Sequence, residues 1–329
     1  MQRGESLKRR HRLSKDSIVK HSGISVLLLL WGMIFFALHN PALTAQVVTD
    51  ALRLCIGRVI PILFPIAAAG GLLTAYAAVP AFLGRWVGRL FRISTPSVGV
   101  LLISLVAGFP IGAMLASRLW ERGRIDEEEA SRLACYTNNA SGAFLTGCVG
   151  VGYFGNPQVG WILWIASSAA ALTVGLWMGA RAFGAANARV SPPRELVAVS
   201  PADSIKSTAV GMLNLTAFVS FFAVFCRFLN ESLTALLPDG YGAQTLRAAV
   251  VAFFEITGGL SEIASLPIHL LIRVGLAGLF IGWSGVSVIL QCMAAGKAVQ
   301  GKRLWQARLW TGLLSGLYAI LFGAICVIS

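Results

Sequence analysis

A run of polar residues, "YTNNASG" from Tyr136 to Gly142, stands at the start of an apolar stretch. Amide and hydroxyl side chains in apolar surroundings can bind a polar ligand or hold two broken helices together. A solvated loop at the membrane surface is the structural alternative. The candidate substrate-binding residues in this run are Thr137, Asn138, Asn139 and Ser141.

A second polar group follows in the other half of the chain. Ser284 and Ser287 are one helical turn apart, and Gln291 comes four residues later. One helical face can therefore carry all three side chains. We expect this face to lie opposite the "YTNNASG" run, in the same substrate-binding site.

Glu255 is a further candidate, since it follows an apolar run in "FFEITGGLSEI". An ionised carboxylate near the centre of a membrane helix costs roughly 2.5 to 3.5 kcal/mol on insertion scales, so such a residue usually serves a transport pathway or a proton relay. A structural ion pair with Arg273 or Arg247 is the alternative. The same candidate site includes the residues that come next, Thr257, Gly258 and Gly259.

The stretch "LVAGFPIGAM", residues 105 to 114, places helix breakers inside an apolar segment. Within a bilayer, non-helical backbone survives only where it is buried in protein or lines a watery cavity. Arginines on both flanks predict that both ends of the segment face the cytoplasm, so we expect it to re-enter rather than cross. A proline-kinked packing helix is the alternative. The substrate-binding candidates here are Gly108, Pro110 and Gly112, and the candidate anion-pairing residues are Arg58 and Arg273.

The sequence has no constellation typical of an enzyme. Its four histidines have no ligand-spaced neighbours, its six cysteines stand singly in apolar segments, and it has no phosphate-binding loop. We therefore expect no catalytic residue, no metal and no cofactor. The stretch "GRIDEEEASRL" is typical of a surface helix, capped by Asp126 and carrying a pair between Glu128 and Arg132.

Composition places these residues in a polytopic membrane protein. Of the 329 residues, 56% are hydrophobic and only 12% are charged, about half the charged fraction of a soluble domain. This length allows roughly seven to nine membrane segments. The net charge of +13 comes from Lys and Arg clusters between apolar blocks, which is typical of cytoplasmic loops, so we expect no nucleic-acid partner.

The order of the apolar segments predicts an all-α fold made of two inverted repeats with broken or re-entrant helices, the usual construction of secondary transporters. Each half has a long opening stretch, a Gly/Pro-broken segment, a Gly-rich segment and a closing span. The predicted parts are a basic cytoplasmic N-terminal segment (1–23), an uncleaved first transmembrane helix (24–38), a gate-like repeat 1 (45–183), a cytoplasmic linker (184–203) and repeat 2 (204–327).

Four segments together resemble the YlbJ family of sporulation integral membrane proteins, which carry a nucleoside recognition or gate domain. They are "LFPIAAAGGLL", the block from "AGFPIGAML" to "GNPQVG", "FFEITGGL" and "GWSGVSVILQ". The resemblance implies a role in sporulation and movement of dipicolinate into the forespore across the outer forespore membrane. The basic extension 1–22 and the pair Trp283–Ser284, where Gly-Gly is expected, depart from the family pattern.

These observations favour a transporter or channel for a small anion. Dipicolinate is a dianion at neutral pH, and helix N-termini at 108–112 and 258–259 would suit its carboxylates. The alternatives are a nucleoside or other small-solute symporter, which would depend on Glu255, and a non-transporting membrane assembly factor. The expected partners are the anionic substrate, the lipid bilayer and either further copies of the chain or other sporulation membrane proteins.

Overall fold

The computed structural model describes residues 24–75, 79–181, 200–238 and 240–327, and within these ranges every regular element is a helix. The predicted all-helical polytopic membrane fold is confirmed. The predicted N-terminal segment and residues 184–199 of the predicted linker lie outside the described residues, as does the side chain of Arg58.

The described ranges hold α-helices and two π-helical stretches, π1 and π2. In chain order they are α1 (Ile24–His39), α2 (Pro41–Leu54), π1 (Cys55–Val59), α3 (Ile60–Ala75), α4 (Ala81–Phe91), α5 (Thr95–Ala107), α6 (Ile111–Glu121), α7 (Glu127–Tyr136), π2 (Phe144–Tyr153), α8 (Pro157–Arg181), α9 (Pro201–Leu236), α10 (Tyr241–Phe254), α11 (Ile256–Ser265), α12 (Leu270–Trp283), α13 (Gly285–Ala295) and α14 (Gly301–Val327).

In the part of the chain that the structure describes, four spans are long and apolar enough to cross a membrane, namely α8, α9, α12 together with α13, and α14. The number rises to six if two sharply bent pairs each count as one span: α1 with α2, bent by 105°, and α4 with α5, bent by 88°. The sequence predicts roughly seven to nine segments. The structure has fewer long spans because several apolar stretches fold as shorter helices, such as α6, α10 and α11.

Both halves repeat one order of elements. In the first half, α5 breaks into α6, α7 breaks into π2, and the long helix α8 follows. In the second half, α10 breaks into α11, α12 breaks into α13, and α14 follows. The structural repeat therefore consists of two broken segments and one closing span.

Two ion pairs show that the repeats are inverted. Lys297 Nζ lies 3.1 Å from Glu121 Oε1, and Arg303 Nη1 lies 2.8 Å from Glu128 Oε2. The α6/α7 loop and the α13/α14 loop are therefore on one face of the protein. Because α12 and α13 together form one span long and apolar enough to cross the membrane, the α11/α12 loop is on the other face. The α6/α7 loop and its counterpart in the second repeat thus lie on opposite faces.

Helix α7 begins as the sequence predicts, but the prediction of a surface helix is wrong, since its residues from Ala130 to Tyr136 are buried. Asp126 Oδ1 accepts a hydrogen bond from the Glu129 N–H at 2.7 Å, which caps the helix. The predicted pair between Glu128 and Arg132 is wrong. Glu128 binds Arg303 instead, and Arg132 Nη2 donates to the Arg92 carbonyl at 2.7 Å, because α7 packs against other elements rather than standing free in solvent.

Candidate functional site

The two breaks of the first repeat lie against each other. Gly108 follows α5 with a φ of 86°, and a cis Phe109–Pro110 peptide leads into α6. A Cβ added at Gly108 would lie 2.9 Å from Ser141 Cβ, in the break between α7 and π2. Glycine is therefore required at 108 by both the backbone conformation and the close approach.

The polar run between α7 and π2 joins these broken helices. Asn138 Oδ1 accepts from the Ala113 N–H of α6 at 2.9 Å, and Asn138 Nδ2 donates to the Ala134 carbonyl of α7 at 2.6 Å. Thr137 Oγ1 donates to the Leu133 carbonyl at 2.8 Å. Asn138 thus satisfies backbone groups at the ends of two broken helices, whereas the Thr137 hydroxyl bonds within α7. In this structure Asn138 holds α6 and α7 together, which is one of the two roles considered for the run.

In the second repeat the carboxylate of Glu255 forms the N-terminal cap of α11. Its Oε1 accepts from the Thr257 N–H at 2.8 Å, and its Oε2 accepts from the Gly258 N–H at 2.7 Å. The chain folds back at this residue, so that Gly259 of α11 packs directly on the backbone of Ala252 in α10. The alternative ion pair is wrong: backbone N–H groups bind the carboxylate, and Arg273 donates to the Ala264 carbonyl.

The break between α12 and α13 contacts the Glu255 break. Ser284 and Gly285 both have a φ of 74°, and a Cβ at Gly285 would lie 3.1 Å from the Phe254 carbonyl oxygen. Trp283 Nε1 donates to the Phe253 carbonyl at 3.0 Å, and the two rings stack with centroids 5.0 Å apart. The breaks thus meet in pairs in both repeats.

Arg308 of α14 connects the two pairs of breaks. Its guanidinium donates to Asn139 Oδ1 at 3.3 Å, to Ser284 Oγ at 3.2 Å and to the Cys135 carbonyl at 3.1 Å. The residue is only 1% exposed. A cation beside the last carbonyls of α7 also interacts favourably with the dipole of that helix.

Sequence reasoning missed Arg308, because the basic cluster of Lys297, Lys302 and Arg303 suggests that the next arginine is also in a cytoplasmic loop. The structure instead begins α14 at Gly301 and buries Arg308 two turns further on. A signal was present in the sequence. Arg308, Thr311 and Ser315 follow the spacing of one helical face, and all three are buried.

A cavity of about 570 Å³ opens where the breaks of both repeats meet. Its walls come from the breaks, from π1 and α3, and from α9. Six of the predicted site residues line it: Gly108, Ser141, Glu255, Thr257, Ser287 and Gln291. The other described candidates do not line the cavity: Pro110, Gly112, Thr137, Asn138, Asn139, Gly258, Gly259, Ser284 and Arg273. Arg58 lies between two lining residues, Gly57 and Val59.

The cavity wall combines aromatic rings with a few polar groups, as in many small-molecule sites. Phe109, Phe144 and Tyr153 supply the rings, and the sequence offered no pattern that would have selected the last two. Among the lining side chains that the structure describes, Glu255 is the only one with a formal charge. Gln291 Nε2 donates to Ser287 Oγ at 3.1 Å, while its Oε1 is buried without a partner.

Comparison with known proteins agrees with this architecture. The chain is 29% identical over 280 residues to the sporulation integral membrane protein YlbJ of Bacillus subtilis (strain 168), a match that covers 74% of this chain and 67% of the relative. No family model matches the chain. No solved structure matches it either. The chain is thus an integral membrane protein that is similar to YlbJ.

Proposed function

We propose that this protein serves sporulation as a transporter or channel that moves dipicolinate, a small aromatic dicarboxylate, across the outer forespore membrane into the forespore. The sporulation role is supported by the name of the similar protein from Bacillus subtilis. The observation that supports transport is the cavity, which is lined by three of the four helix breaks and by α13. Broken helices that surround a cavity deep in the membrane are the usual substrate site of secondary transporters.

The shape and chemistry of the cavity suit a planar aromatic acid. The rings of Phe109, Phe144 and Tyr153 can pack on the faces and edges of an aromatic ligand. Backbone N–H groups at the start of α11 bind a carboxylate in the structure, namely that of Glu255. The same N–H groups suit a substrate carboxylate by the same hydrogen bonds.

A neutral polar solute such as a nucleoside is the second candidate. The charge of the described wall favours it, since Glu255 is negative and would repel a dianion. The unpaired Oε1 of Gln291 and the carboxylate of Glu255 could accept hydrogen bonds from sugar hydroxyl groups. A non-transporting assembly factor is the third reading, and flux measurements separate it from the other two.

We assign the face with the α6/α7 and α13/α14 loops to the cytoplasm. Arg122, Arg124, Lys297 and Lys302 lie in or beside these loops, and basic residues in short loops favour the cytoplasmic side. The C-terminal end of α8 is on the same face, because Arg92 Nη1 donates to the Ala180 carbonyl at 3.3 Å.

Uptake of labelled dipicolinate by purified protein in proteoliposomes tests the proposal. We expect uptake that unlabelled dipicolinate inhibits and that uridine and adenosine do not. Gln291→Leu should lower the apparent affinity about tenfold, since a buried hydrogen-bond partner is lost. Ser265→Ala, on the exposed side of α11, is the matched control and should transport normally. Inhibition by nucleosides would support the second candidate, and no uptake by well-folded protein would support the assembly factor.

A further inference from the structure

Glu255 occupies the position in which an anionic ligand would bind at the start of α11. Both carboxylate oxygens are used, one by the Thr257 N–H and one by the Gly258 N–H. The side chain also lines the cavity and is 9% exposed. A substrate carboxylate can therefore reach these N–H groups only if Glu255 releases them.

Gln291 points independently to a missing hydrogen-bond donor in the same cavity. The residue is 4% exposed, its Nε2 binds Ser287, and its Oε1 has no partner. An amide oxygen only accepts hydrogen bonds, so its partner must carry a hydrogen atom. A protonated carboxyl group is such a donor, whereas an ionised carboxylate is not.

Among the side chains that the structure describes, the groups around Glu255 do not balance the charge of an incoming dianion. Cys55 of π1 and Cys226 of α9 are near enough to interact electrostatically with it, and α13 presents the uncharged Ser287 and Gln291. Cys148 and Tyr153 of π2 complete the titratable groups of the described wall. A dianion beside an ionised Glu255 would place like charges together in a low-dielectric cavity, which is strongly unfavourable.

We propose that Glu255 makes anion movement proton-coupled by exchanging its own carboxylate for that of the substrate. A proton from the entry side adds to one carboxylate oxygen of Glu255, and the neutral group gives up the Thr257 and Gly258 N–H groups. The substrate carboxylate takes these hydrogen bonds, and the new O–H of Glu255 donates to Gln291 Oε1. No bond of the substrate changes, and the proton leaves Glu255 again when the substrate is released.

This mechanism rests on the proposed function and adds a stoichiometry to it. One proton accompanies each dicarboxylate, so each transport cycle moves a net charge of −1. Lowering the pH on the entry side should favour protonation of Glu255 and so increase the rate of uptake.

Proton uptake on binding provides a test that does not need transport. Dipicolinate is titrated into detergent-solubilised protein in buffers of different ionisation enthalpy, near neutral pH. Wild-type protein should take up close to one proton per ligand bound, and Glu255→Gln, which imitates the protonated group, should bind and take up none. Glu262→Gln is the matched control, because this second carboxylate of α11 binds Asn230 and does not line the cavity. Its proton uptake should equal that of the wild type.

Proteoliposomes with a trapped pH dye then separate this mechanism from the proposed function. Acidification of the lumen on dipicolinate uptake, lost in Glu255→Gln, supports the mechanism. Uptake by the wild type without proton movement overturns the mechanism and leaves dipicolinate transport standing. No uptake at any pH overturns the proposed function together with it. Glu255→Asp is the control for misfolding of Glu255→Gln. It keeps a carboxyl group at this position, so its uptake should be slower but should still respond to pH.

Discussion

Arg308 shows how a single buried charge is made tolerable in this protein. A guanidinium cannot lose its proton at neutral pH, so its N–H groups must find acceptors when water is excluded. Asn139, Ser284 and the Cys135 carbonyl supply them from two different repeats. The residue therefore links the repeats in addition to filling space.

We expect Arg308→Met to lower the free energy of unfolding by about 2 to 4 kcal/mol, because three buried acceptors lose their donor. Reversible unfolding in mixed micelles measures this. Arg303→Met is the control, since Arg303 forms its ion pair with the half-exposed Glu128 and should change stability by less than about 1 kcal/mol. Equal effects of the two substitutions would contradict the linking role.

Ser284 has a left-handed backbone conformation and a hydroxyl group that binds Arg308. Its φ of 74° suits glycine, but its Oγ accepts a hydrogen bond from Arg308. Ser284→Ala should therefore lose the hydrogen bond, keep the backbone strain and cost about 2 kcal/mol. Ser284→Gly should cost less, because it relieves about 1 kcal/mol of that strain. An alanine variant as stable as the glycine variant would show that the backbone is relaxed.

At the scale of the elements, the breaks are what the sequence predicts best. Gly108 and Pro110 interrupt an apolar segment, and the structure separates α5 from α6 there. The polar run 137–142 likewise separates α7 from π2. Local chemistry is sufficient in these cases, because glycine, proline and clustered amides disfavour a continuous helix whatever surrounds them.

Contacts between distant elements could not be predicted in the same way. The position of Arg308 depends on where α14 begins, which is decided by the packing of the α13/α14 loop on α6 and α7. The capping role of Glu255 becomes visible only when the helix break is placed at that residue. The six lining candidates come from both repeats, and their meeting requires the tertiary fold.

The hairpin of α10 and α11 offers a sharp test because two adjacent glycines differ in their surroundings. A Cβ at Gly259 would lie closer to the Ala252 backbone than any atoms can approach, whereas one at Gly258 would lie 3.4 Å from its nearest neighbour, Glu255 Oε2. Gly259→Ala should force α10 and α11 apart and lower stability by about 2 kcal/mol or more. Gly258→Ala should fold normally, as judged by monodisperse yield and thermal unfolding. Normal folding of both variants would contradict the observed hairpin.

At the scale of the whole molecule, inversion of the repeats predicts which loops share a side of the membrane. Glu121→Cys and Lys297→Cys should react with an impermeant maleimide from one side of sealed vesicles, and Ser265→Cys should react from the other. The unmodified chain reports the background from Cys148 and Cys326, the cysteines that are not buried. Labelling of all three positions from one side would rule out the inverted arrangement.

The adjacent residues Trp283 and Ser284 also constrain how the protein can change shape. The indole of Trp283 holds the Phe253 carbonyl in the second repeat, while the hydroxyl of Ser284 reaches, through Arg308, the Asn139 amide in the first. A rotation of the peptide between them would disturb both sets of hydrogen bonds together. The conformations of the two repeats are thus coupled through one peptide bond. We therefore expect their rearrangement to be cooperative, with few intermediates in which only one repeat has moved.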